Sequence, residues 1–253
     1  MATADSISPD SLISFVEEYT ALNNRLDTQR LMADQLAYAR LLGGWQVLQR
    51  MQRRQQLIAP EYNVFGLLRN LAWDETRLHS PFLADLLNPN GAHGQGSLFY
   101  KALLQELQTL GISVSAYQGQ DNHFFEVATE VPTGDGFIDV LLTYRGPDAQ
   151  FALAIENKIY AVDQDRQLAR YQAYLDLHFP GQSLLLYLTP WPRQPSPISL
   201  TPEEFRLLVA ADKLRCITYA EHIQPMLRTA LPSVQAPVVR QLVEQYCQIL
   251  DNL

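Results

Sequence analysis

Apolar residues recur through the first sixty positions with a helical period. Leu12, Ile13, Val16, Tyr19 and Leu22 fall on one face of a helix that Ser8 caps and Pro9 opens. A second helical segment is expected over 28–58, with Pro60 closing the pattern. The stretch 63–107 then reads as helix, turn, helix: Asn88-Pro89-Asn90-Gly91 marks the turn, and Glu75 stands one helical turn before His79. From Phe124 the period changes to two. The runs FFEVATEVP, GFIDVLLTY and FALAIENK, separated by Gly134-Asp135-Gly136 and Gly146-Pro147-Asp148, predict a three-strand meander. A helix capped by Asp163 is expected over 163–177, and the unbroken apolar run QSLLLYLTP suits a strand buried on both faces and parallel to a neighbour. A Pro-rich loop, TPWPRQPSPISLTPEEF, follows, then a short strand at CITY and helices over 219–230 and 235–251. The pattern gives an α/β class with a central mixed sheet of four to five strands flanked by helices. It also suggests a helical extension over 1–60 in front of a domain over 61–253.

The chemistry gathers where FALAI runs into Glu156-Asn157-Lys158. Side chains alternate along a strand, so Glu156 and Lys158 share one face and Asn157 takes the other. Lys and Glu are almost never buried alone, and these two follow five apolar residues. Their desolvation needs compensation from each other, from a metal, or from a phosphate.

Composition narrows the setting. At 253 residues and 47% hydrophobic, the chain can bury one large core with an appendage. A net charge of −8 disfavours a generic polyanion binder yet permits a local basic groove beside acidic metal ligands. Cys216 and Cys247 make neither a disulfide framework nor a zinc site, so a reducing cytoplasm is the expected compartment. The N-terminal residues lack the charge and apolar pattern of a signal peptide, and no apolar run reaches the ~18 residues of a membrane span. No Walker loop, G-x-G-x-x-G or G-x-S-x-G motif occurs, which leaves a metal as the one cofactor type expected. Arg50, Arg53 and Arg54 suggest either a phosphate grip or a solvated helix face.

Gly136-Phe137-Ile138-Asp139, Glu156-Asn157-Lys158, then Gln167 and Tyr171 on the next helix occur in the order of a known pattern. The chain resembles the PD-(D/E)XK nuclease superfamily. Upstream, Glu75 in ETRLHSPFL, followed by LLNP and HGQG, is similar to the leading helix of an uncharacterised bacterial branch; downstream, IENKIYAVDQDRQLARY and CITYAEHI extend the likeness. It covers about 63–250, and it departs from the pattern at Ile138, where Pro is usual; only the carboxylate of Asp139 touches a metal.

The resemblance implies a restriction-endonuclease-like core and a Mg²⁺- or Mn²⁺-dependent nuclease. Asp139, Glu156 and the backbone carbonyl of Asn157 would hold the ion, with Glu75 as the third carboxylate, and Lys158 would position water or stabilise the scissile phosphate. Gln167 and Tyr171 would orient the site and contact nucleic acid, flanked by Arg166 and Arg170 as backbone readers. His79 and His93 are expected to be structural. The register should bring Asp139, Glu156 and Lys158 together at one sheet end, on the face toward the helix of Glu75. DNA is the expected substrate, and phage defence or repair follows by analogy alone. The alternatives are a nuclease fold that binds nucleic acid or protein without cutting, and a metal-dependent hydrolase of another phosphate. A protein partner or a second copy stays open.

Overall fold

The computed structural model describes residues 9–58, 62–68 and 74–253, and the chain divides into two compact units, Met1–Tyr62 and Asn63–Leu253. In the first unit a single helix, α1 (Pro9–Ile58), runs for 50 residues. It passes unbroken through Asn23-Asn24, where two segments were expected. Propensity is a weak prior, and two polar residues do not stop a helix that has no Gly or Pro there. Ser8 and Pro60 lie outside the described residues.

The second unit opens with α2 (Val64–Leu68). A π-helical turn, Glu75–His79, leads straight into α3 (Ser80–Leu87), and Asp74 caps it by accepting the Arg77 N–H at 2.7 Å. The expected Asn88–Gly91 turn separates α3 from α4 (Leu98–Thr109). His93 is local glue in that turn: its Nε2 donates to the Asn88 carbonyl at 2.9 Å and its Nδ1 accepts from Gln95 N–H. The meander β1 (Phe125–Pro132), β2 (Phe137–Arg145) and β3 (Gln150–Asn157) follows.

After β3, α5 (Gln167–His178) crosses to β4 (Ser183–Thr189), and α6 (Pro202–Ala210) crosses to β5 (Leu214–Thr218). Helix α6 starts inside the stretch read as Pro-rich loop and runs five residues past its end. Thr201 and Glu204 form a reciprocal capping box at its start and Pro202 fits its first turn. Helix α5 begins four residues later than expected: Asp163 is no cap but accepts from the Tyr187 hydroxyl at 3.0 Å and Ser196 N–H at 2.7 Å. A second π-turn, Tyr219–Ile223, then α7 (Gln224–Ala230) and α8 (Pro237–Leu250), finish the unit.

The strands lie in the order β1-β2-β3-β4-β5, antiparallel from β1 to β3 and parallel from β3 to β5. Each face has its own core. On one, Leu153 and Ile155 of β3 and Leu184, Leu186 and Leu188 of β4 pack with residues of α3, α4, α7 and α8. On the other, Ala152, Ala154, Leu185 and Tyr187 pack with Leu168, Tyr171 and Leu175 of α5 and with Leu200. β3 and β4 are thus buried on both sides, as their near-continuous apolar sequences require.

Candidate active site

The β2–β3 ladder ends at Val140–Ile155, and one residue beyond it the two strands carry Asp139 and Glu156. There a side chain takes over from the backbone. The Asn157 N–H donates to Asp139 Oδ2 at 2.6 Å, so the carboxylate fills a place that a strand carbonyl would otherwise occupy.

Glu156 points to the α5 side with Ala152 and Ala154 and is 1% exposed. Its Oε1 receives two donors, Lys158 Nζ at 2.8 Å and Gln167 Nε2 at 2.7 Å. Its Oε2 is buried with no hydrogen-bond partner. Gln167 is fully committed: its Nε2 also donates to the Tyr171 hydroxyl at 3.0 Å, while its Oε1 accepts from Gln164 N–H at 3.2 Å. That last contact fixes which way the amide faces. Tyr171 in turn donates to the Phe137 carbonyl at 2.6 Å. Gln167 and Tyr171 stand one turn apart on the face of α5 toward β3, so the chain Phe137–Tyr171–Gln167–Glu156 ties the start of β2 to the end of β3 through α5. A Cβ added to Gly136, at φ +151°, would meet the Tyr171 hydroxyl at 3.3 Å, which explains the glycine there.

Glu75 approaches from elsewhere. The expectation that the cluster faces the helix of Glu75 fails for Glu156, which looks toward α5 while the π-turn of Glu75 leads into α3 on the opposite face, although Glu75 is close enough for its charge to raise the Asp139 pKa. Glu75 Oε1 accepts from the N–H groups of Ile159 at 2.7 Å, Ala161 at 2.8 Å, and Tyr160. Three successive amides thus form a nest for this carboxylate just beyond Lys158. Burial alone would raise its pKa, but the amides together hold it below the usual carboxylate value.

The other two carboxylates shift the opposite way. Burial, opposed by the Asn157 N–H and by Lys158, pushes Asp139 up to about 6. Burial and the proximity of Asp139, opposed by Lys158, push Glu156 up to about 8. Lys158 is the buried cation between them, 4% exposed, with its N–H bonded to the Leu188 carbonyl at 2.8 Å. Among the described residues, no three His, Cys, Asp or Glu side chains are gathered closely enough to hold a metal by themselves.

Of the flanking arginines, Arg166 sits in the left-handed region at φ +53° and spends its guanidinium on Glu204, at 2.6 and 2.8 Å. Arg170 lies by Gly136 with its Nε buried and unpartnered. Ser80, Tyr219 and Arg193, to which sequence reading assigned no role, hold the site from behind. The Asn157 side chain donates to Ser80 Oγ at 3.1 Å and accepts from the Tyr219 hydroxyl at 3.2 Å. Arg193 reaches the Lys158 carbonyl at 3.4 Å, its guanidinium 5.8 Å from the Tyr187 ring centre. His79, wholly buried with Nδ1 2.9 Å from the Tyr246 hydroxyl, has its pKa pushed down to about 4 by burial.

A sequence model of the PD-(D/E)XK nuclease superfamily matches residues 62–248, a span that takes in every residue of this cluster. No curated protein and no solved structure matches the chain. Among the described residues no helix is long and apolar enough to cross a membrane.

Proposed function

Because the chain belongs to the PD-(D/E)XK nuclease superfamily, with the mixed five-stranded sheet between helices of a restriction-endonuclease-like fold, we propose that it hydrolyses phosphodiester bonds of DNA with a divalent cation, Mg²⁺ or Mn²⁺. One observation carries the reading: Glu156 keeps an unpartnered oxygen inside the protein, next to a second, half-buried carboxylate whose proximity raises its pKa. Burying carboxylates without compensation is costly, and the single buried ammonium of Lys158 faces two of them. A hard dication fits that deficit and that all-oxygen donor set.

Asp139, Glu156 and the Asn157 carbonyl would hold the ion. When bound, it supplies Lewis-acid polarisation of the phosphate and a more acidic water. Lys158 places positive charge where the attacked phosphate gains negative charge. Gln167 and Tyr171 hold the Glu156 carboxylate at a fixed angle. Glu75, with Oε1 spent on three amides, acts as a positioning residue for the backbone after Lys158 rather than as a ligand. Arg170 is available to a phosphate, whereas Arg166 would first have to leave Glu204.

A second reading, a fold that binds nucleic acid without cutting it, is favoured by the absence of a three-ligand cluster among the described residues. The two separate in a cleavage assay on single-stranded DNA, double-stranded DNA and RNA with Mg²⁺, Mn²⁺ or EDTA. DNA should be cut only with a dication. Asp139→Asn and Glu156→Gln should abolish cutting, while Lys158→Ala should slow it at least ~100-fold and still bind the ion. Wild-type protein that binds DNA yet cuts nothing in either metal replaces the nuclease with the binding module.

A further inference from the structure

Helix α1 is exposed along its whole described length, from Asp10 to Arg54. Its exposure is not that of a polar helix: Tyr19 is 55%, Leu41 70% and Trp45 58% exposed. Positions 12, 16, 19, 22, 26, 30, 33, 37, 41, 45, 48 and 51 advance by three or four residues at every step and are apolar except for Arg30. At 3.6 residues per turn they keep within an arc of roughly 140°, a continuous stripe down one side. With roughly 100 Å² of each large side chain in water, the stripe offers on the order of 900 Å², where a specific interface of ordinary size takes about 800 Å² from each partner. Such a face, left in water, exceeds what soluble monomers ordinarily show.

Charge says what covers it. Residues 9–24 carry Asp10, Glu17 and Glu18 and no Lys or Arg, residues 35–54 carry Arg40, Arg50, Arg53 and Arg54 and no Asp or Glu, and the middle is balanced by Arg25, Asp27, Arg30 and Asp34. One helix is therefore acidic at its start and basic at its end. A second copy laid antiparallel sets each acidic half beside a basic half and satisfies a two-fold axis; a parallel copy sets like charge on like. The apolar half-stripes are matched in the same way, Tyr19 and Leu22 of one copy lying near the level of Leu48 and Trp45 of the other, with small Ala33 and Ala37 near the centre. We infer that α1 is a dimerisation helix that pairs antiparallel with α1 of a second copy of this chain.

The test is sedimentation equilibrium on the full chain. Wild type should be a dimer at micromolar concentration. Reversing the basic end with Arg50→Glu, Arg53→Glu and Arg54→Glu, all exposed positions, should raise the dissociation constant at least ~10-fold in low salt. Adding Glu17→Arg and Glu18→Arg to the same chain should restore it, because each reversed end then meets a reversed partner. Under mild oxidation Ala33→Cys should cross-link the dimer and Leu12→Cys should not. A wild type that stays monomeric, a Leu12→Cys cross-link, or charge reversal that lowers DNA binding without moving the dimer equilibrium would each overturn the inference; the last would make the basic end a nucleic-acid contact instead.

Discussion

The strand end at β3 and the loop just after it each enclose a glutamate, and the two are treated in opposite ways. Glu156 is sealed in with one oxygen accepting from two donors and the other unpartnered, and its pKa rises to about 8. Glu75 is also buried, but three amides converge on it and its pKa falls. Burial acts on both, so burial alone does not decide the charge state; the three amides aimed at Glu75 and the Asp139 carboxylate beside Glu156 do. A carboxylate supplied with its own donors is finished as a structural anchor. One left short of positive charge is poised for something the chain itself does not provide.

Replacing each by its amide should pull the pair furthest apart. Glu156→Gln should remove cleavage altogether while leaving the cation-free protein close to wild type in stability at pH 8. Glu75→Gln should leave measurable cleavage but cost about 2–4 kcal/mol in urea unfolding, the order expected when several charge-assisted hydrogen bonds are weakened together. Loss of cation binding in Glu75→Gln, seen by calorimetry on the folded protein, would erase the distinction.

A pH series sharpens the same contrast. The cation-free folded protein keeps protons on Asp139 to about pH 6 and on Glu156 to about pH 8. The unfolded chain has released both by roughly pH 5. The folded state therefore binds more protons across that window, and stability should fall as pH rises from about 5 to 8. His79 opposes this over the lower part of the window: with its folded pKa near 4 against an ordinary 6.5, the unfolded state binds its extra proton from about pH 4 to 6.5, so the fall should be shallow up to about pH 6.5 and steeper above it. A dication at ~100 times its Kd should then add ~2.7 kcal/mol at pH 8, a Tm gain of roughly 5–10 °C, and much less at pH 5, where protons compete. A metal-induced Tm gain equal at both pH values would mean the ion sits away from these carboxylates.

The smallest effect concerns the support behind both sites. Tyr219→Phe removes the donor to Asn157 Oδ1 and should cost about 1 kcal/mol, with cleavage reduced less than by any substitution at Asp139, Glu156 or Lys158. A collapse of activity in Tyr219→Phe would mean that the Asn157 side chain, and not only its carbonyl, is held under tension by the site.

Much of this was legible in the sequence because it is local. Period-two runs broken by Gly134-Asp135-Gly136 and Gly146-Pro147-Asp148 announce the meander, and the apolar run before Glu156 announces that its charge is buried. Helix α6 is masked for a different reason: Pro190, Pro192, Pro195, Pro197 and Pro202 carry a strong loop signal, although Thr201-Pro202-Glu203-Glu204 is itself a helix start. The nest for Glu75 and the contacts of Asn157 with Ser80 and Tyr219 have no local signature. Their partners lie 84, 77 and 62 residues away, and only the packing of α3 and the second π-turn against the sheet end brings them in. Which face Glu75 would serve was unreadable for the same reason.

The hydrogen bond from Asn157 N–H to Asp139 has a practical side for anyone preparing an inactive protein. In Asp139→Ala two things would vanish together, the proposed metal ligand and the acceptor that closes the sheet beyond Val140–Ile155, so an inactive variant made that way should also have a frayed strand. Asn at the same position keeps an acceptor of the same reach and removes only the charge. The asparagine variant is the proper catalytic control, and the alanine variant is an assay of strand integrity.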